Sequence, residues 1–160
     1  MALADYHAVS QFLFREAALL DAQDWDGWEK LFARNGIYWV PAARDQVDPL
    51  QHVSLAYEDA LLRAIRLNRL KNADAPSLQV KPNSSHLVSN IMVSSADDPA
   101  ARCTVRSRFV VTQYAQWGTT VFSGSYTHDL IVDHGELRIV LKRVDLVNVD
   151  GPLGDVLTVL

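Results

Sequence analysis

Apolar residues Tyr6, Val9, Leu13, Ala17 and Leu20 recur at spacings of three and four, with Phe12 and Leu19 widening the stripe, so the pattern predicts an amphipathic helix over residues 4–21. Arg15, Glu16 and Asp21 fall on its outer face. The segment Asp24-Trp25-Asp26-Gly27-Trp28-Glu29 predicts a short second helix, capped by Asp24 or by Asp26 with Glu29 completing a capping box, and stopped by Asn35-Gly36. Ile37-Tyr38-Trp39-Val40 is aromatic and β-branched and predicts a short strand ended by Pro41. A polar connection runs on to Gln51. Residues 54–70 hold helix formers without Gly or Pro, with Leu61, Leu62, Ile65 and Leu70 apolar, and predict a third helix. Residues 72–82, with two prolines, predict a loop.

Four β-rich segments follow, at 86–95, 102–116, 119–132 and 136–149, separated by Asp97-Asp98-Pro99, Trp117-Gly118 and Asp133-His134-Gly135. Such spacing predicts an antiparallel meander. Val105, Ser107, Phe109 and Val111 alternate with Arg106, Arg108 and Val110, and Leu137, Ile139 and Leu141 with Arg138, Val140 and Lys142, so one face is the more apolar and should pack on the helices. Helices first and strands afterwards predict one α+β domain over residues 1–160, its N-terminal helices packed on a curved sheet. The run Val156-Leu157-Thr158-Val159-Leu160 is apolar throughout and is expected to dock, as an added strand or in a subunit contact.

Composition narrows the function more than the fold. With 49% hydrophobic and 21% charged residues the chain is ordinary for a globular protein, and its 160 residues suffice for one core. Fifteen Lys plus Arg against 19 Asp plus Glu give a net charge of −4, which offers nothing to a nucleic acid. Cys103 is the single cysteine, which excludes an intrachain disulfide, a Cys-rich zinc site and an iron–sulfur cluster held by two cysteines of this chain; it is expected to be a buried small hydrophobe. The opening Met-Ala-Leu-Ala-Asp-Tyr has no basic region and no run approaches about 18 apolar residues, so neither a signal peptide nor a membrane span is expected, and a reducing cytoplasm fits.

No phosphate-binding glycine loop, Gly-x-Ser-x-Gly or His-Glu-x-x-His occurs. His7 and His134 belong to a terminus and a turn and are expected on the surface. His128 and Tyr126 lie two apart on one strand, and His86 begins another; with Tyr38 and Asp21 or Asp24 they form the candidate acid–base set for a cavity between helices and sheet. Ordinary packing is the commoner role for such side chains. Arg63, Arg66 and Arg69 make a basic stripe, read as a solvated helix face or a contact for an acidic partner. Trp25, Trp28, Trp39 and Tyr38 form an aromatic cluster suited to a core or, next, to an interface.

Phe12-Leu13-Phe14-Arg15-Glu16-Ala17-Ala18-Leu19-Leu20-Asp21, followed by Trp25-Asp26-Gly27-Trp28 and Tyr38-Trp39-Val40-Pro41, resembles the opening of the small, or beta, subunits of bacterial aromatic-ring-hydroxylating dioxygenases. His52-Val53-Ser54-Leu55-Ala56-Tyr57-Glu58-Asp59, Ser85-His86-Leu87-Val88-Ser89-Asn90-Ile91 and Lys142-Arg143-Val144-Asp145-Leu146-Val147-Asn148 are similar to further family blocks, in order. Pro82-Asn83-Ser84-Ser85 departs from the Arg that members commonly place before the histidine. The resemblance implies a cystatin-like, nuclear-transport-factor-2-like cone, a mainly antiparallel mixed sheet, and a subunit without cofactor. It further implies a large (alpha) partner carrying a Rieske [2Fe-2S] cluster and a mononuclear iron, in a three-plus-three hexamer with beta–beta contacts. On this reading the chain is structural, and Trp25, Trp28, Arg63, Arg66, Arg69, Leu157 and Leu160 are its candidate interface residues. The alternative is a free-standing dehydratase or isomerase of the same fold, working through His86, His128, Tyr126 and Asp24.

Overall fold

α1 (Tyr6–Asp21) begins where the Asp5 carboxylate accepts a hydrogen bond from the backbone N–H of His7 at 3.1 Å, so the helix is capped by a short acidic side chain. The computed structural model describes residues 5–72, 81–95, 101 and 103–160. The predicted helix start at Ala4, most of the 72–82 loop and the Asp97-Asp98-Pro99 turn lie outside them. α1 buries Val9, Phe12, Leu13 and Leu20, and also Glu16, which the sequence pattern had placed outside.

α2 (Trp25–Glu29) is capped by Asp24, whose carboxylate accepts from the Gly27 N–H at 2.9 Å. β1 (Phe32–Pro41) starts before the predicted strand, and Asn35-Gly36 lies within it at an irregularity of register rather than ending α2. β2 (Ser54–Glu58) corrects the predicted third helix: Ser54 to Glu58 pair antiparallel with β1, and α3 (Ala60–Lys71) starts only after Asp59, which accepts from the Leu62 N–H at 3.0 Å. Lack of Gly and Pro permitted a helix there, but a side-chain cap fixed its true start. α3 buries Arg63 and Leu67 and leaves Leu61, Leu62 and Ile65 exposed, the reverse of the expected facing.

The remaining strands are β3 (Asn83–Ser95), β4 (Cys103–Ala115), β5 (Gly118–Asp133) and β6 (Glu136–Leu146). They form the predicted meander, extended by β1 and β2 into one sheet of order β2-β1-β6-β5-β4-β3. All pairs are antiparallel except β1 with β6. His134 and Gly135 turn the β5–β6 hairpin with φ of 50° and 79°, the left-handed pair that matches strand twist. The three helices pack on the inner face of this curved mixed sheet, α1 along β3 and α3 along β1 and β2. Tyr38, Val105, Phe109, Phe122, Leu130, Ile139 and Val144 line that face.

One irregularity matters for the interior. Asp129 faces Leu141 and Leu130 faces Ile139 across β5 and β6, which leaves Val140 as an extra residue. A one-residue bulge exchanges the two faces beyond it. Ile139 and Lys142 therefore both point inward, although strict alternation had put Lys142 outside.

Candidate functional site

The interior between α1 and the sheet holds charge. Glu16, 3% exposed, accepts from Trp28 Nε1 at 3.0 Å and from Lys142 Nζ at 2.8 Å on Oε1, while Oε2 meets His128 Nε2 at 2.9 Å. Each partner comes from a different element: Glu16 from α1, Trp28 from α2, His128 from β5 and Lys142 from β6. Burial pushes the Glu16 carboxyl up, but the charges of Lys142 and His128 and their hydrogen bonds outweigh it and hold it well below the usual carboxylate range. Burial lowers the Lys142 ammonium, and Glu16 opposes that shift. The Lys142 ammonium also sits 4.5 Å from the Tyr126 ring centroid.

A second pair lies beside it. His86 Nδ1 contacts Asp21 Oδ1 at 2.5 Å, and the His86 N–H and Ser84 hydroxyl donate to the same carboxylate. His86 Nε2 reaches the carbonyl of Val159 at 2.8 Å, and the Tyr38 hydroxyl donates to the carbonyl of Leu160 at 3.1 Å. Burial pushes the Tyr38 hydroxyl up to about 12. Gln113 holds the same segment further back, donating to the Asp155 carbonyl at 3.0 Å and accepting from the Leu157 N–H at 2.7 Å. The C-terminal run thus docks as expected, but inside its own chain and through side chains rather than as a strand. Grooves of about 500 and 440 Å³ flank residues 156–158.

This geometry redistributes the candidates. His86, His128 and Tyr126 converge on the interior, as the sequence suggested, but Asp24 does not join them: it caps α2, and Asp21 takes its place beside His86. His128 Nδ1, the Tyr126 hydroxyl and the Ser107 hydroxyl are buried without a hydrogen-bond partner among the described residues. Tyr126 stacks on Phe109 with centroids 4.2 Å apart, and burial pushes its hydroxyl well above its ordinary value. His7 and His134 are exposed, and Cys103 is buried, as expected. No group of three or more His, Cys, Asp or Glu among the described residues is arranged to hold a metal ion.

Several interface candidates lie in the interior of this chain. Trp25 and Trp28 are core residues, 7% and 0% exposed, and Leu160 is buried at 3%. Arg63 is fully buried, with Nε and Nη2 each 2.9 Å from a Glu29 oxygen and with its guanidinium 3.9 Å over the Phe32 ring, so it clamps α3 to α2 and β1 from within. Arg66 pairs with Glu58 and is partly exposed; Arg69 is exposed and Leu157 half-buried. Sequence reasoning missed Glu16 and Lys142. Glu16 carried a signal, since it stands three residues after Leu13 and four before Leu20, within the buried stripe. Lys142 carried none, because the Val140 bulge decides its face.

A sequence profile of the family described as "Ring hydroxylating beta subunit" matches residues 15–149. The chain belongs to this ring-hydroxylating beta-subunit family. The family's relatives are small subunits of aromatic-ring dioxygenases. The beta subunit of toluate 1,2-dioxygenase from Pseudomonas putida is 31% identical over 148 residues, covering 89% of this chain and 90% of its own. Among solved structures, the beta subunit of benzoate 1,2-dioxygenase from Burkholderia mallei superposes with a TM-score of 0.79 at 25% identity, covering 99% of this chain and 100% of that one. The fold extends further: a putative scytalone dehydratase from Novosphingobium aromaticivorans superposes with a TM-score of 0.64 at 13% identity, covering 88% of this chain and 82% of that one. Members of this family are subunits of an oxidoreductase complex that includes a larger chain. No helix among the described residues is long and apolar enough to cross a membrane.

Proposed function

We propose that this chain is the non-catalytic, structural beta subunit of a cytoplasmic dioxygenase that adds both atoms of dioxygen to an aromatic ring with electrons from NAD(P)H. The large subunit carries the Rieske cluster and the mononuclear iron, and three small subunits support three large ones. Toluate and benzoate, the compounds in the names of the relatives above, make an aromatic carboxylate the substrate class to test.

One observation supports the structural reading most. The polar side chains that resemble an acid–base set face one another and the chain's own C-terminal carbonyls. Glu16 is shared by Trp28, Lys142 and His128; Asp21 is engaged by Ser84 and His86; His86 and Tyr38 hold residues 159 and 160 in place. A general base needs the proton it abstracts within reach, and here the second nitrogen of His86 meets a backbone carbonyl instead.

The test is co-expression with the large subunit of its own operon, followed by light scattering and iron analysis of the purified species. A complex of about 200 kDa with all iron on the large chain is expected for three-plus-three assembly. A small chain that stays separate, or that binds iron stoichiometrically alone, overturns the reading.

A further inference from the structure

His86 meets an acceptor at each ring nitrogen. Nδ1 stands 2.5 Å from Asp21 Oδ1 at the end of α1, and Nε2 stands 2.8 Å from the carbonyl oxygen of Val159. The Asp21 carboxylate also accepts from the Ser84 hydroxyl and the His86 backbone N–H, as an ionised group does, and a backbone carbonyl has no proton to give. A neutral imidazole carries one N–H. With that proton on Nδ1, a bare Nε2 lone pair faces the Val159 oxygen; with it on Nε2, a bare Nδ1 faces the carboxylate. Both contacts are made only when a second proton is present. Whether it rests on Nδ1 or on Oδ1, the pair then holds one proton more than a neutral ring beside an ionised carboxylate.

The His86 side chain is 1% exposed and that of Asp21 30%, so the ring is shielded while the carboxylate gives the proton a way to water. Tyr126 on β5 feels the Asp21 charge and Tyr38 on β1 donates to the next carbonyl of the segment, but burial pushes both hydroxyls up, so they stay protonated. β4 presents the uncharged Gln113. Lys71 of α3 and Lys81 line the groove on the Ser84 side, and the paired Arg66 and Glu58 line the other. Glu16, His128 and Lys142 bind one another deeper in the interior. The His86–Asp21 pair is thus the proton-binding group at the contact with Val159.

Val156, Leu157 and Thr158 line both grooves, about 500 and 440 Å³, and form the wall between them, while Val159 and Leu160 are buried. We propose that residues 156–160 are a proton-dependent latch, which closes the interior while the His86–Asp21 pair holds its extra proton and is released when the pair loses it. Release joins the two grooves and uncovers Tyr38 and His86. The docked state binds one proton more than the released state, so docking is favoured on the acid side of the pair's titration and weakens as pH rises through it.

The test is nitrogen-15 NMR of the full chain, wild type and Asp21→Asn, from about pH 5 to about pH 9. Ring-nitrogen shifts give the protons on His86, and nuclear Overhauser contacts between its ring and Val159 report docking. Wild-type molecules with the segment docked should carry a proton on Nε2 and a second on Nδ1 or between Nδ1 and Oδ1. Loss of one should coincide with loss of the Val159 contacts and with a protection factor at least about tenfold lower for the Leu157 amide, which Gln113 holds. In Asp21→Asn the new amide can turn its NH2 to Nδ1 and its oxygen to the His86 N–H, so a neutral ring with its proton on Nε2 makes both contacts. That variant should stay docked throughout, its Leu157 protection changing by less than about twofold. A singly protonated His86 still touching Val159 in the wild type overturns the proposal, and so does release at the same pH in both chains. If the wild type keeps both protons and a docked segment to about pH 9, a single ring proton in docked Asp21→Asn supports the latch and two overturn it. Should Asp21→Asn fail to fold, Leu160→Ala loosens the segment without touching the pair, and His86 must then lose its second proton at a lower pH than in wild type. An unchanged midpoint overturns the proposal.

Discussion

Glu16 accepts from three donors on three different elements, which makes it the residue whose replacement should disturb the interior most. Breaking a buried ion pair from one side leaves an uncompensated charge and costs about 3–5 kcal/mol, while replacing both partners by apolar groups is often nearly neutral. Glu16→Leu and Lys142→Met should each destabilise by about that amount, and the double variant by much less than the sum, as read by urea unfolding. Additive costs would mean that the two side chains do not act as a pair. The pH dependence follows from the same carboxyl. Its folded value lies below the unfolded value of 4.5, so the unfolded state takes up protons first as acid is added. The stabilisation is fully present above about pH 4.5 and is lost as pH falls below it. Unfolding curves at a series of acidic pH values should show a shallower loss for the double variant than for wild type.

Among the elements, β5 and β6 meet at one point without room for a side chain. A Cβ at Gly124 would collide with the Asp145 carbonyl, a backbone atom that cannot step aside. Gly124→Ala should therefore destabilise by about 1–3 kcal/mol, with amide exchange quickening first along the β5–β6 ladder. The C-terminal segment is anchored by Val159 and Leu160, both buried, and by His86 and Tyr38. Leu160→Ala should lower stability by about 2–5 kcal/mol in thermal or urea unfolding, and an unchanged melting temperature would show that the segment does not close the interior. Much at this scale was legible in the chain. Strict alternation from Val105 to Val111 gave the inward face of β4, and Asp133-His134-Gly135 gave the hairpin. Two features were not legible. Ser54 to Glu58 have no residue that forbids a helix, and only pairing with β1 makes them a strand. Lys142 looks outward by alternation until the bulge at Val140 turns it inward.

For the whole molecule, four ordered blocks and a helix-then-meander layout carried the family and the fold, because both are spread along the chain. The interior arrangement was only partly legible. His86, His128 and Tyr126 were singled out, but their partners are set by tertiary contacts between residues as far apart as Glu16 and Lys142. If these groups support an assembly and take no part in its chemistry, as proposed above, Tyr126 separates the two roles most cleanly. Its hydroxyl has no hydrogen-bond partner among the described residues, so Tyr126→Phe removes no internal bond and keeps the ring stacked on Phe109. The decisive measurement is turnover of benzoate or the complex's best aromatic carboxylate, per mole of large-subunit iron, in assembled complexes with Tyr126 and with Phe in its place. A structural role gives equal turnover per iron and a small chain at least as stable as wild type. A fall of about a hundredfold or more, with assembly and iron content intact, would place this hydroxyl in acid–base chemistry and contradict it.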